Sequence, residues 1–181
     1  GCANACTGEP GLRDAEGMAA AMAALLGGDA RDYMVMSTGV IGQRLPMDRV
    51  LAGIEQGARE LSADEEAGHR AARAIMTTDT VPKECAVEFP VGGRTVRVGG
   101  MAKGAGMIAP NMGTMHVFIT TDIAAEPGAL QNALAAAVDE TFNCITVDGD
   151  TSTSDAVLLL ANGASGVPLD GASREAFTEA L

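Results

Sequence analysis

The sequence predicts an α/β (α+β) domain, a layered sandwich of helices with mixed or antiparallel sheets. Helical and strand-like patterns alternate irregularly along its 181 residues, one hairpin stands out clearly, and no internal repeat or linker-like tract interrupts them. That length allows one domain with a sizeable core. Hydrophobic residues make up 47% of the chain but aromatics only 3%, so the core must be packed from Ala, Val, Ile, Leu and ten Met.

Taken in order, Gly1–Gly8 (GCANACTG) is turn-like and Glu9-Pro-Gly11 a turn. An Ala/Met-rich helix follows over about 11–26 and is ended by Gly27-Gly28. Tyr33–Ser37 reads as a short buried strand entering the loop Ser37-Thr-Gly-Val-Ile-Gly42. Pro46-Met47 opens a second helix to about Leu61. A third starts after Ser62, with Glu65 in the capping-box position, and runs to about Met76. Thr77–Pro82 is a polar loop. The runs 84–91 and 94–98, joined by Gly92-Gly93, form the hairpin. A glycine-rich loop is expected over 99–113, a strand over Thr114–Thr121, and a helix over about 129–142 after Glu126-Pro-Gly. Cys144–Val147 reads as a strand, 148–155 as a polar loop, and Ala156–Ala161 as a last strand. Ser173–Leu181 begins a helical pattern without a capping stop.

A net charge of −12 argues against nucleic acid or an anionic membrane as partner, because neutralising phosphates needs a basic patch. Cys2, Cys6, Cys85 and Cys144 form no CxxC pair, and only His69 and His116 could join them in a metal site. Reduced thiols in the cytoplasm are the reading, with no disulfide framework and no zinc. Without a signal-peptide pattern or a membrane-spanning apolar run, a soluble protein is expected. The opening Gly1 and the uncapped end read as a fragment of a longer protein.

The segment Lys103-Gly-Ala-Gly-Met-Ile-Ala-Pro-Asn-Met-Gly113-Thr114 carries the chemistry. If the Gly113–Thr114 bond broke, Thr114 would hold a hydroxyl and a free amine, a nucleophile and its base in one residue. A threonine that merely starts a strand is the commoner case. Gly104, Gly106 and Gly113 favour the first reading, since they permit the backbone angles a strained scissile bond needs. Thr38-Gly39 ends a strand pattern in a turn that sets a hydroxyl beside a backbone N–H, suited to an oxyanion but equally an ordinary turn. Lys103, among small residues, suits a carboxylate; its placement before the glycines rules out a Walker loop. Asp148–Asp155 lacks the Gly and Glu of an EF-hand and reads as a hydrogen-bonded turn. His116, two residues beyond Thr114, would share its strand face, yet a general base is superfluous if Thr114 has its own amine.

Together, Ala3–Gly8, Ser37–Gly42, Met76–Thr80 with Pro82-Lys83, Gly100–Gly104, Met107–Thr114 and Ile145–Thr153 resemble the glutamate N-acetyltransferase or ornithine acetyltransferase enzymes of arginine biosynthesis. The resemblance implies a precursor that cuts itself before Thr114. Residues 1–113 would then be the C-terminal part of an α chain and 114–181 the N-terminal part of a β chain. Both would lie in one truncated sandwich that resembles, but is distinct from, the N-terminal-nucleophile hydrolases. Thr114 would take an acetyl group from N-acetylornithine and pass it to glutamate, with no cofactor and with acetyl-CoA as a further donor candidate. Thr38 and Gly39 would form the oxyanion hole. Thr77, Lys103 and Thr114 would bind substrate, with Thr78 replacing Thr77 if the loop aligns one residue later. An α2β2 or higher assembly is implied. Gly113 stands where the family more often has Ala, and the site residues of the missing segments would leave this piece inactive alone. A self-processing amidase or aminopeptidase, and a non-catalytic amino-acid-binding module, are the alternatives.

Overall fold

The computed structural model describes residues 1–181, in two units, Gly1–Ala71 and Ala72–Leu181. In the first unit, helix α1 (Gly8–Leu26) packs against α2 (Met47–Arg59). Helix α1 starts three residues earlier than predicted and takes Glu9-Pro10-Gly11 into its first turn, where a proline has no helical N–H to lose. Asn4 fastens this start: its amide nitrogen donates to the Gly11 carbonyl at 2.8 Å, and its side-chain oxygen accepts the Thr7 hydroxyl at 2.7 Å. Gly27, at φ 88°, ends the helix as expected.

Tyr33–Ser37 is not the predicted buried strand. It has no regular structure and leaves Met34 and Val35 exposed, because it finds no ladder to join. Its continuation lies beside the chain's opening residues instead: Ala3 N–H donates to Val40 O, Val40 N–H to Gly1 O, and Asn4 N–H to Ser37 Oγ. Helix α3 (Glu65–Ala74) is capped by Asp64, whose Oδ1 accepts the Ala67 N–H at 2.6 Å; Ser62 instead bonds to Asp64. An aspartate at the cap outcompetes the serine because its charge also meets the helix N-terminus favourably.

The second unit holds one mixed sheet in the order β1-β2-β3-β4, formed by Lys83–Val91, Arg94–Lys103, His116–Thr121 and Ala156–Ala161. The first three strands are antiparallel, and β4 is parallel to β3. The predicted hairpin is present, its Gly92-Gly93 turn at φ 56° and 80°, the positive pair a two-residue hairpin turn needs. Strand β2 runs five residues further than predicted. Gly99 and Gly100 pair with Thr120 and Ile119, so ladder bonds override their weak strand preference, and the glycine loop starts only at Gly104.

Alternate residues of the strands, Val96 and Val98, Val117 and Ile119, line one sheet face. Helices α4 (Pro127–Glu140) and α5 (Arg174–Ala180) cover it, inserting Ala133 and Phe177. This helix layer over a mixed sheet is the α/β layering expected. The predicted strand at 144–147 is absent: a single 3₁₀ turn, Phe142–Cys144, leads into loop. No helix is long and apolar enough to cross a membrane. Phe177 is fully buried in the core; Phe177→Ala should cost about 3–5 kcal/mol, read as a lower urea midpoint of the whole protein.

Candidate functional site

Two surface loops of the second unit lie side by side and build the site. The first runs from Gly104 to Met115, between β2 and β3, and the second from Ile145 to Asp155, before β4. Neither has regular structure, so their backbone groups need other partners. Ile108 O accepts the Val147 N–H at 3.0 Å, Met112 O accepts the Ser152 N–H at 2.9 Å, and Met115 O accepts the Ala156 N–H at 3.0 Å. Two carboxylates complete the lacing. Asp148 accepts the N–H groups of Met107 and Ile108 at 2.7 and 3.1 Å, and Asp155 Oδ2 accepts the Gly113 N–H at 2.8 Å. The Met107 and Ile108 bonds, with a further one from Asp150 N–H, hold the Asp148 carboxyl below its ordinary range. The polar loop is therefore a hydrogen-bonded turn, as predicted, with a second task the sequence did not disclose.

Glycine does not carry all the unusual backbone angles here. Gly104 has φ 154°, but Gly106 and Gly113 have none in the left-handed region, where Met107 and Asn111 lie instead, at φ 56° and 63°. A methionine in that region carries of order 1–2 kcal/mol of strain. It is held there by the Asp148 bond to its N–H.

Thr114 lies in a bend two residues before β3, and so does not start the strand. The expectation that it shares a strand face with His116 lapses for that reason. Its N–H donates to Met107 O at 2.8 Å, and its carbonyl accepts from Lys103 Nζ at 3.0 Å. Its hydroxyl is buried and has no hydrogen-bond partner. Leaving such a group unpaired costs roughly 1–3 kcal/mol, and a catalytic role is one explanation for a group of this kind.

Lys103 ends β2 rather than lying in the glycine loop, and its side chain is only 2% exposed. Burial pulls its pKa down, the charge of Asp79 pulls it up, and that of Lys83 pulls it down again. It sits opposite His116 in the ladder, so the two side chains share the sheet face away from the core. Burial and the neighbouring Lys103 lower the His116 pKa against the pull of Asp155, leaving a neutral imidazole at neutral pH.

Asp79, unremarked in the sequence, ties the substrate-binding candidates together. One oxygen accepts Lys83 Nζ at 2.6 Å and the Gly104 N–H at 2.7 Å; the other accepts the Thr77 N–H at 3.1 Å. Thr77 itself is exposed, as is Thr78. Thr77, Lys103, Gly113 and Thr114 thus belong to one bonded network of the second unit. A cavity of about 400 Å³ adjoins it, lined by Val81, Lys103, Ile108, Met115 and Val147 among others.

Thr38 and Gly39 belong to the first unit. Gly39 has φ 133°, and a Cβ there would collide with the Gly1 carbonyl oxygen, so glycine alone fits. The motif residues 3–8 and 37–42 are hydrogen-bonded neighbours.

The model of the ArgJ family matches residues 1–181. The arginine biosynthesis bifunctional protein ArgJ of Symbiobacterium thermophilum is 56% identical over 184 residues, with 100% of this chain and 45% of that protein covered. Its counterpart from Methylococcus capsulatus is 50% identical over 184 residues, again covering 100% of this chain and 45% of that protein. The chain therefore spans a little under half the length of these relatives. The crystal structure of the arginine biosynthesis bifunctional protein argJ from Bacillus halodurans aligns with a TM-score of 0.56 at 49% identity, covering 61% of this chain and 57% of that one.

The hub at Asp79 yields a pH prediction. Burial raises its pKa, but the Lys83, Gly104 and Thr77 bonds outweigh this and bring it from 3.8 to about 2. A lowered carboxyl pKa contributes stability above the unfolded value and loses it as pH falls from 3.8 through about 2. Urea midpoints of the whole protein should fall across that window, and Asp79→Asn should flatten the fall. At neutral pH, Asp79→Ala should cost about 2–4 kcal/mol, because three donors lose their acceptor.

Proposed function

The chain belongs to the ArgJ family, and from that premise we propose that the whole protein is a self-processing acetyltransferase of arginine biosynthesis. It cuts itself between Gly113 and Thr114, and Thr114 then carries acetyl from N-acetylornithine to glutamate. The observation that supports this best is the state of the junction. The backbone is held on both sides of the bond, by Asp155 on Gly113 and by Met107 and Lys103 on Thr114, while the Thr114 hydroxyl is left uncommitted.

Each later step follows from groups already in place. Cleavage frees the Thr114 amine, whose ordinary pKa is about 8. The Lys103 ammonium, bonded to the same residue's carbonyl, lowers it further, so the amine is a competent base at neutral pH. That carbonyl belongs to the bond with Met115, so the Lys103 contact outlives the cut and keeps the nucleophile in position. The hydroxyl attacks the acetyl carbonyl of N-acetylornithine and its proton passes through the amine to the departing ornithine. Glutamate's amine then takes the acetyl group by the reverse sequence. Thr38 and Gly39 are assigned the oxyanion role, and Thr77 and Lys103 the binding of substrate. The mostly apolar cavity beside Lys103 suits an aliphatic amino-acid chain. No cofactor takes part; acetyl-CoA is a second candidate donor. The two chains from one precursor stay together, in an α2β2 or larger assembly, and the free thiols suit a reducing compartment such as the cytoplasm.

Expression of the full-length gene should give two bands on a denaturing gel, the smaller-numbered chain ending at Gly113 and the other starting at Thr114. Thr114→Ala should stay uncut and lose transfer by more than about 10⁴-fold, the scale of losing a covalent nucleophile. A single persistent wild-type chain would refute the processing. With N-acetylornithine as donor, ornithine release beyond a single stoichiometric burst should require glutamate; continued acetate release without glutamate would favour an amidase.

A further inference from the structure

We propose that Asp155 is the proton acceptor that starts cutting of the Gly113–Thr114 bond. The inference rests on the self-processing reading above and assigns a step that reading leaves open. Before the cut Thr114 has no free amine, so the mature enzyme's base does not yet exist. Some other group must take the hydroxyl proton if the oxygen is to attack the Gly113 carbonyl carbon.

The groups around the junction narrow the choice. Lys103 Nζ is a donor and is bonded to the Thr114 carbonyl. Asp148 has both oxygens engaged by backbone N–H groups of Met107, Ile108 and Asp150. Asp79 is occupied by Lys83, Gly104 and Thr77. Asp155 differs. Its Oδ2 accepts the Gly113 N–H at 2.8 Å, whereas its Oδ1 is buried without a hydrogen-bond partner. That oxygen lies against the scissile residue, 3.7 Å from where a Cβ on Gly113 would stand. The Thr114 hydroxyl is the other partnerless buried side-chain oxygen, so an unused acceptor and an unused donor flank one peptide bond. Backbone bonding of Ala156 to Met115 holds the carboxylate's own chain in register with the junction.

The step balances without any co-reactant. The Thr114 Oγ–H proton passes to Asp155 Oδ1 as Oγ bonds to the Gly113 carbonyl carbon. The Gly113–Thr114 C–N bond then breaks, and Asp155 returns the proton to the Thr114 nitrogen, leaving an ester and a free amine. Water adds to the ester carbon, the C–Oγ bond breaks, and the hydroxyl is regenerated with Gly113 as a terminal carboxylate. The first oxygen of Asp155 orients Gly113 throughout while the second moves the proton, so the two functions are separable by substitution.

Asp155→Asn keeps a carbonyl oxygen for the Gly113 N–H but removes the base. In the full-length protein it should fold with a cooperative thermal transition and cut at least about 100-fold more slowly than wild type, the scale of losing a general base. Hydroxylamine, which intercepts the ester, should speed cutting of wild type and not of this variant. Asp155→Glu, which retains a carboxylate, should cut faster than Asp155→Asn, and it carries the test if Asp155→Asn does not fold. Cutting of Asp155→Asn within about twofold of wild type would overturn the proposal. So would hydroxylamine cleaving it as fast as wild type, a folded but uncut Asp155→Glu, or the defect appearing in His116→Gln instead. A wild-type protein that never cuts would refute the processing itself, an outcome distinct from all of these.

Discussion

Everything at the candidate site depends on backbone N–H groups of an irregular loop being held by carboxylates from another loop. Between Gly104 and Met115 no helix or ladder satisfies the main chain. Asp148 and Asp155, some 41 and 42 residues downstream of the N–H groups they hold at Met107 and Gly113, do so instead. Each such charge-assisted bond is stronger than a neutral one. They hold the left-handed Met107 in place, and with it the carbonyl that receives the Thr114 N–H. The Gly113–Thr114 bond is thus fixed from both sides by contacts that do not involve the Thr114 hydroxyl.

The sheet supplies the remaining constraint. Because β2 continues through its glycines to Lys103, the register places that lysine opposite His116 on the face away from the core. A lysine at the tip of a glycine loop would lie in water. At the end of a paired strand it is buried, and its ammonium is aimed at the Thr114 carbonyl. Asp79 then fixes where the chain turns after Lys103, through the Gly104 N–H, and joins that turn to the Thr77 loop. The strand register and one carboxylate therefore bring together residues far apart in the chain.

Much of this was legible in the sequence, and the failures have physical causes. The hairpin was visible because Gly92-Gly93 separates two alternating runs, a purely local signal. The C-terminal end of α1 and the polar loops were visible for the same reason. Gly99 and Gly100 were misread as loop because strand pairing with Ile119 and Thr120 is a non-local effect. Tyr33–Ser37 and Cys144–Val147 look like strands by composition, but neither enters a strand ladder. Lys103, Gly113 and Thr114 were singled out from the glycine-rich loop, and Thr77 from the family resemblance; the fold places all four in the second unit. Asp79, Asp148 and Asp155 were missed as site residues because their roles are set by which backbone N–H groups the fold delivers to them. The one available signal was three aspartates beside glycine-rich or threonine-rich turns.

In the proposed function Thr114, freed at its amine, is the group that carries acetyl. The most direct test is intact-mass analysis of the full-length enzyme quenched during turnover with N-acetylornithine and no glutamate. One added acetyl group is expected on the chain that begins at Thr114, lost again when glutamate is supplied. Turnover with the acetyl group on the other chain, or with none on either, would contradict it.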